Sequence, residues 1–304
     1  MATYIRLTDY KSSGEKEQEF FNPENRYEAK QEDFSKIPGS LVAYWMTKSL
    51  RNILLKTRIS TNGISSPGIR TGKDAIFIKE WYEISIQNIS FNAKDYQDIK
   101  SITPIYYPIT RGGGNRKWYG NLFNIIKIGN DAKEIKQICH DHRLREPNLY
   151  FKEGITWTMI SSSNVSFRIV PKGVLFGNGG PCLYIPNTLS TIAFLNTNIS
   201  QKILNIFNPT LNYTKSDIDN LPTVDEKNSQ NNNMNKLSTQ NINISREEWD
   251  SRETSWDFTK NELIKHKLDT KVETAYTSFC NYWQEQHNTL HQNEEELNRL
   301  FIDI

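Results

Sequence analysis

The densest chemistry in the sequence lies between Ile109 and Asn121, which reads ITRGGGNRKWYGN. Arg111, Arg116 and Lys117 can pair with phosphates, and an arginine can also read a guanine edge with two hydrogen bonds. Trp118 and Tyr119 offer ring faces for stacking bases. Gly112, Gly113 and Gly114 leave room for a ligand to approach the backbone closely. Cations interleaved with aromatics beside a glycine run are what nucleic-acid contact needs. The competing reading is a glycine-rich hairpin loop whose cations are ordinary surface residues and whose aromatics shape the loop or fill the core. Lys152, Arg168 and Lys172 lie further along and are additional candidates for phosphate contacts.

Other constellations carry less. Cys139-His140-Asp141-His142 offers metal-capable side chains, but adjacent residues rarely converge on one ion and the usual partner spacing is missing, so a polar loop is predicted and no metal ligand is assigned. Asp131, Glu134 and Lys136 have the residue types of a metal-dependent nuclease site, although three such residues on one charged helical turn are usually its wet face. Phe176-Gly177-Asn178-Gly179-Gly180 is glycine-rich but lacks the strand–loop–helix setting of a nucleotide fingerprint. No phosphate-loop motif and no G-x-S-x-G elbow occur. The sequence contains no Pro-Pro pair, so the Asn/Asp-Pro-Pro-Tyr/Phe element of amino-group DNA methyltransferases is missing. No residue is assigned as catalytic or as cofactor-binding.

The 304 residues have 37% hydrophobic and 24% charged content, the composition of a soluble globular chain. No apolar run approaches the roughly 20 residues that cross a bilayer, and the opening MATYIRLTDYK has no apolar stretch of a secretory signal. Three widely spaced cysteines argue against a disulfide framework, and a reducing, cytoplasmic location is expected. The net charge is only +2, yet between Ile99 and Ser216 there are 14 Lys/Arg against 5 Asp/Glu. Residues 99–130 and 154–216 contain no acid at all. Such asymmetry is the footprint of a polyanion-facing surface.

The elements that must position these residues read as an α+β fold. Residues 1–36 are a polar connector. Leu41, Tyr44, Trp45, Leu50, Ile53 and Leu54 are spaced as one helix. Alternation at Tyr82, Ile84 and Ile86, and at Val165, Phe167 and Ile169, predicts strands, with Pro171-Lys172-Gly173 as a hairpin turn to Val174–Phe176. Leu189 to Phe207 returns to helical spacing and stops at Asn208-Pro209. The Asn/Gln/Ser-rich stretch 225–244 reads as a flexible linker. Ser245 followed by Glu248 is a capping-box pattern, so a helix is expected to begin there. Val272, Ala275, Tyr276, Phe279 and Trp283 form an apolar stripe of a further helix. The closing EEELNRLFIDI is an amphipathic pattern with no cap after it, as though the chain stopped within an element. The division expected is a connector 1–36, a recognition domain 37–224, a linker 225–244 and an incomplete helical segment 245–304.

Six blocks in this order carry a resemblance: IPGSLVAYW (37–45), GIRTGKDAIFIKEWYEI (68–84), GGGNRKWYGN (112–121), YFKEGITWT (150–158), ILNIFNPTLNYTKSDIDNLP (203–222) and EEWDSRETSWDF (247–258). Together they resemble the C-terminal half of the PglX family, adenine-specific DNA methyltransferases of BREX phage-defence systems, similar in layout to type IIG restriction–modification enzymes. The resemblance covers nearly the whole chain. It implies a DNA target-recognition portion and a helical C-terminal portion, with the catalytic and S-adenosylmethionine-binding motifs lying before them in the family. On that reading this chain holds no cofactor, is inactive alone, and has double-stranded DNA as its partner. A separate methyltransferase chain and other phage-defence proteins are further partners it implies, and no membrane. One block departs from the family: after Thr71-Gly72, where acidic and Asn residues are usual, this chain has Lys73-Asp74-Ala75-Ile76. The alternatives are a self-contained metal-dependent nuclease using Asp131, Glu134 and Lys136, and a split specificity subunit acting with a separate methyltransferase chain.

Overall fold

Short apolar runs interrupted by Gly and Pro become short strands, ten of them among the described residues of the computed structural model, 1–35, 37–208, 210–224 and 230–303. They are β1 (Ala2–Ile5), β2 (Arg26–Ala29), β3 (Ile64–Ser66), β4 (Ile78–Glu80), β5 (Tyr106–Thr110), β6 (Asn124–Lys127), β7 (Gly154–Trp157), β8 (Phe167–Val170), β9 (Leu175–Phe176) and β10 (Cys182–Tyr184). β1 and β2 form a small antiparallel pair. The other strands make two four-stranded sheets, ordered β3-β10-β7-β8 and β4-β6-β5-β9. The first is antiparallel throughout, whereas β9 joins β5 in parallel. With the helices below, this is the α+β architecture expected.

Each sheet anchors its own core. Around the first sheet pack Trp157, Phe167, Leu183, Ile192 and Leu204, and around the second Phe77, Tyr107, Ile126, Phe151 and Phe176. The Val165–Ile169 alternation is realised in β8, where every residue is buried. Pro171-Lys172-Gly173 is a turn but not a hairpin, because β8 and β9 enter different sheets. The alternation at Tyr82–Ile86 is not a strand. The strand ends at Glu80, where Glu83 accepts from the Glu80 amide at 2.7 Å and starts a tight turn. Tyr82 and Ile86 are left 57% and 65% exposed.

The helix expected from Leu41 is only α1 (Lys48–Leu54), because the Thr47 hydroxyl accepts from the Leu50 amide and sets its start there. Ala43 and Met46 are nonetheless buried from an irregular approach. The 189–207 pattern divides into α3 (Thr188–Leu195) and α4 (Asn198–Phe207), preceded in the chain by the short α2 (Lys133–Ile138). The break at Asn196 has a clear cause: its side chain bonds both the amide and the carbonyl of Phe167. Residues 1–35 are not a bare connector. Tyr4 of β1 stacks on Tyr44 at 4.8 Å, and the Tyr44 hydroxyl donates to the Ile5 carbonyl at 3.1 Å.

The largest correction concerns the Asn-rich stretch. Residues 225–229 lie outside the described residues, but 231–244 belong to α5 (Asn231–Asp250), and Ser245 sits inside it rather than at its start. Met234, Ile242, Ile244 and Trp249 are buried, and the polar Ser238, Asn241 and Ser245 are buried with them. Ser238 Oγ donates to the Leu189 carbonyl at 3.0 Å, so its burial close to α3 leaves the hydroxyl satisfied. After α6 (Glu262–Lys265), α7 (Val272–Asp303) runs unbroken for 32 residues and includes the EEELNRLF pattern. Of its expected stripe Ala275 is buried, whereas Val272 and Tyr276 are exposed; Leu297 and Phe301 reach the first core. No helix among the described residues is long and apolar enough to cross a membrane.

Candidate nucleic-acid interface

The 109–121 segment leaves β5 and crosses between the two cores. Trp118 adopts the left-handed φ of 69°, and its backbone pairs with the edge of β8: its amide donates to the Phe167 carbonyl at 2.8 Å, and the Ile169 amide donates to the Trp118 carbonyl at 2.9 Å. Trp118 then enters the first core and Tyr119 the second, exposed only 1% and 4%. Gly120, at φ 121°, is required here, since a Cβ would meet Arg116 and the Trp249 ring.

The side chains of this loop turn toward the C-terminal helices. Glu294 of α7 accepts from Trp118 Nε1 at 2.7 Å and from Lys117 Nζ at 2.8 Å. Arg116 pairs with Glu248 of α5, donates to the Ser245 carbonyl at 3.1 Å and lies 5.1 Å from the Trp249 ring centre. Arg246 lies over the Tyr119 ring at 4.8 Å. Burial, with Asp250 nearby, pushes the Tyr119 hydroxyl up to about 12. Neither ring has an open face for a base, so of the two readings of Trp118 and Tyr119 the structure matches loop-shaping. Arg116 and Lys117 are ion-paired staples between this loop and two helices.

Arg168 is also reassigned. It has no exposed surface and so does not reach a phosphate. Its guanidinium donates to the Arg116 carbonyl at 3.2 Å, to Ser166 Oγ at 3.4 Å and to Thr158 Oγ1 at 3.3 Å, all neutral acceptors, while Nε finds no partner. Burial, with Arg116 beside it, draws its pKa down to about 10, which leaves it charged at neutral pH. Arg111 stays at the surface and pairs with Asp74 at 2.5 Å. Lys152 and Lys172 are exposed on separate turns. Sequence reasoning passed over Arg70, Arg143 and Arg145, which fold next to Arg111. Arg70 and Arg143 are brought together by a backbone bridge between distant segments, which no local pattern in the chain announces.

The nuclease constellation does not assemble. Asp131 binds Lys136 at 2.7 Å and the Tyr96 hydroxyl at 2.5 Å, whereas Glu134 binds Lys127 at 2.5 Å. Those hydrogen bonds outweigh partial burial and hold the Asp131 carboxyl below its usual range. In the 139–142 run Cys139 is buried and Asp141 is taken by Arg70. No group of three His, Cys, Asp or Glu able to hold a metal occurs among the described residues. The Phe176–Gly180 stretch does not fit a cofactor cradle either. A Cβ on Gly179 or Gly180 would come within 2.6 Å of Arg111 or Gly112 backbone atoms, so these glycines serve chain crossing.

Comparison with known proteins gives the class first. Over its whole length the chain is similar to the C-terminal part of adenine-specific methyltransferases, as its six sequence blocks indicate. The relatives are the adenine-specific methyltransferase PglX of Lacticaseibacillus casei (strain Zhang), 35% identical over 100% of this chain, and the adenine-specific methyltransferase BrxX of Escherichia coli O9:H4 (strain HS), 35% identical over 90% of it. The alignments cover 27% and 22% of those proteins, so the chain spans about a quarter of the relatives' length. No family model matches. Among solved structures, the type IIL restriction-modification enzyme MmeI in complex with DNA aligns with 80% of this chain and 36% of its own, at a TM-score of 0.42 and 12% identity.

Proposed function

We propose that this chain is the DNA target-recognition portion of a site-specific N6-adenine DNA methyltransferase of the BREX phage-defence type, acting in the cytoplasm. The observation that carries the reading is 35% identity, over 100% and 90% of the chain, to two proteins named as adenine-specific methyltransferases. The local excess of cations over residues 99–216 supports a polyanionic partner. The intact enzyme extrudes its target adenine from the duplex, which requires a surface that grips the deformed DNA. This chain supplies that grip. S-adenosylmethionine and the transfer step belong to another part of the enzyme, either on the same polypeptide or on a separate methyltransferase chain, with other phage-defence proteins as further partners.

The test is equilibrium binding of the purified chain to duplex DNA across a salt series. Affinity should fall with a slope of about −0.9 in log K against log salt for every phosphate neutralised. The chain alone should transfer no labelled methyl group from S-adenosylmethionine. Failure to bind duplex at low salt, or methyl incorporation by the isolated chain, would overturn the proposal.

A further inference from the structure

Three glycine-bearing segments far apart in sequence meet at one seam. The Ile69 region bridges to Gly177, with the Asn178 amide donating to the Ile69 carbonyl at 2.9 Å and the Gly177 amide to the Thr110 carbonyl at 2.8 Å. Gly112 sits so close that a Cβ on it would lie 2.6 Å from the Gly179 carbonyl oxygen. Arg70 and Arg143 exchange backbone hydrogen bonds of 3.0 and 2.8 Å alongside. The result is a strip of crossing backbone whose Gly68, Gly112, Gly177 and Gly180 are themselves buried, with Arg70, Arg111 and Arg143 exposed and Arg145 half-buried along it.

Their charge is poorly matched. Arg70 pairs with Asp141 at 2.8 Å and Arg111 with Asp74 at 2.5 Å, and all four of these side chains are more than 40% exposed. Pairs this exposed contribute little and exchange readily. Arg143 donates to the His142 carbonyl, and Arg145 to the Gly68 carbonyl and Asn178 Oδ1, which are neutral oxygens. Beneath the strip lies Arg168, buried and bonded only to neutral acceptors. Its contact Thr158 Oγ1 in turn donates to the Gly113 carbonyl at 3.0 Å. A buried guanidinium without a carboxylate is costly, and its field reaches the nearby surface with little screening. An anion lying on the strip would supply the missing charge.

The geometry points to this seam as the phosphate-contact track for duplex DNA, with Arg70, Arg111, Arg143 and Arg145 exchanging their present partners for phosphates and Arg168 attracting the backbone from below. The inference rests on the DNA reading above and deepens it. It moves the contact surface away from the Arg116–Tyr119 staple.

Fluorescence anisotropy with a short mixed-sequence duplex over a salt series tests it on the full chain. The R70Q/R143Q double variant should lower the salt slope by about 1.8, two phosphates at about 0.9 each. Asp141→Asn frees Arg70 and should tighten binding by up to about fivefold, a gain that misfolding cannot imitate; the ceiling follows from an exposed pair worth up to about 1 kcal/mol. R168M, an apolar replacement of similar volume, should keep the fold while weakening binding. If the wild-type chain binds duplex but R70Q/R143Q keeps its slope, and K152A/K172A loses it, the seam is the wrong surface and the DNA reading stands. Unchanged or weaker binding by D141N also counts against the seam. If the wild-type chain binds no duplex, the DNA reading falls and the seam falls with it.

Discussion

Trp118 and Tyr119 are neighbours in the chain yet enter different cores, and the left-handed φ of Trp118 makes that split. The sequence shows residue types suited to DNA contact; it does not show that Glu248 and Glu294, 132 and 177 residues away, return to claim Arg116 and Lys117. Two like-looking cation–aromatic loops differ only in whether such acids come back to them. Glu294 is therefore the residue on which the loop depends. Glu294→Ala removes the acceptor of the buried Trp118 Nε1 and should cost about 1–3 kcal/mol, the penalty of an unsatisfied buried donor. Glu294→Gln keeps an acceptor and loses only the pair to half-exposed Lys117, so its cost should stay under about 1 kcal/mol. Urea unfolding of both variants checks the ordering, and equal losses would mean the indole bond contributes nothing.

At the scale of elements, polar composition misread α5. A helix needs its buried positions to recur at 3.6 residues, and nothing requires them to be apolar when a neighbour's backbone satisfies them. Ser238, fully buried close to α3, is the sharpest case. Ser238→Leu should destabilise by about 1–3 kcal/mol through overpacking, measurable as a lower urea midpoint. The junction of α5, α6 and α7 is held by charge instead. Glu247 accepts from Lys265 and from the Tyr282 hydroxyl, each at 2.7 Å. Burial alone would raise the Glu247 carboxyl, but these bonds outweigh it and leave it below its ordinary value. A carboxyl depressed in the folded state stabilises in full above its unfolded range, near pH 4.3. That stability is lost as pH falls from there through the folded value. Stability of the wild-type chain should decline over that acid window, and Glu247→Gln should flatten the decline in a pH series of unfolding curves.

At the scale of the molecule, the C-terminal helices are part of both cores rather than an appendage behind a linker. Met234, Ile242, Leu297 and Phe301 complete the first core, and Trp249 completes the second. Residues 1–224 alone should therefore fail to form a native recognition domain, because removing those side chains uncovers apolar area that is worth about 25 cal/mol per Å² when buried. Expressed alone, that fragment should bind a hydrophobic dye and show poor amide dispersion in NMR spectra. A cooperatively folded, well-dispersed fragment would show that the first two-thirds of the chain forms an independent unit. In the full chain, near-ultraviolet and far-ultraviolet signals should be lost in one coincident transition.

Residue type and order were enough for the α+β class, the strand at Phe167–Val170, the helices after Pro186 and the resemblance to adenine-specific methyltransferases, because those follow from local periodicity and from motifs read in series. The meeting of Gly68, Gly112 and Gly177–Gly180, the burial of Arg168 without a carboxylate, and the capture of the RKWY loop by two distant helices were decided only in three dimensions. Each depends on contacts between segments tens to hundreds of residues apart, and whether a cation is free or neutralised is a property of those contacts rather than of its neighbours in the chain.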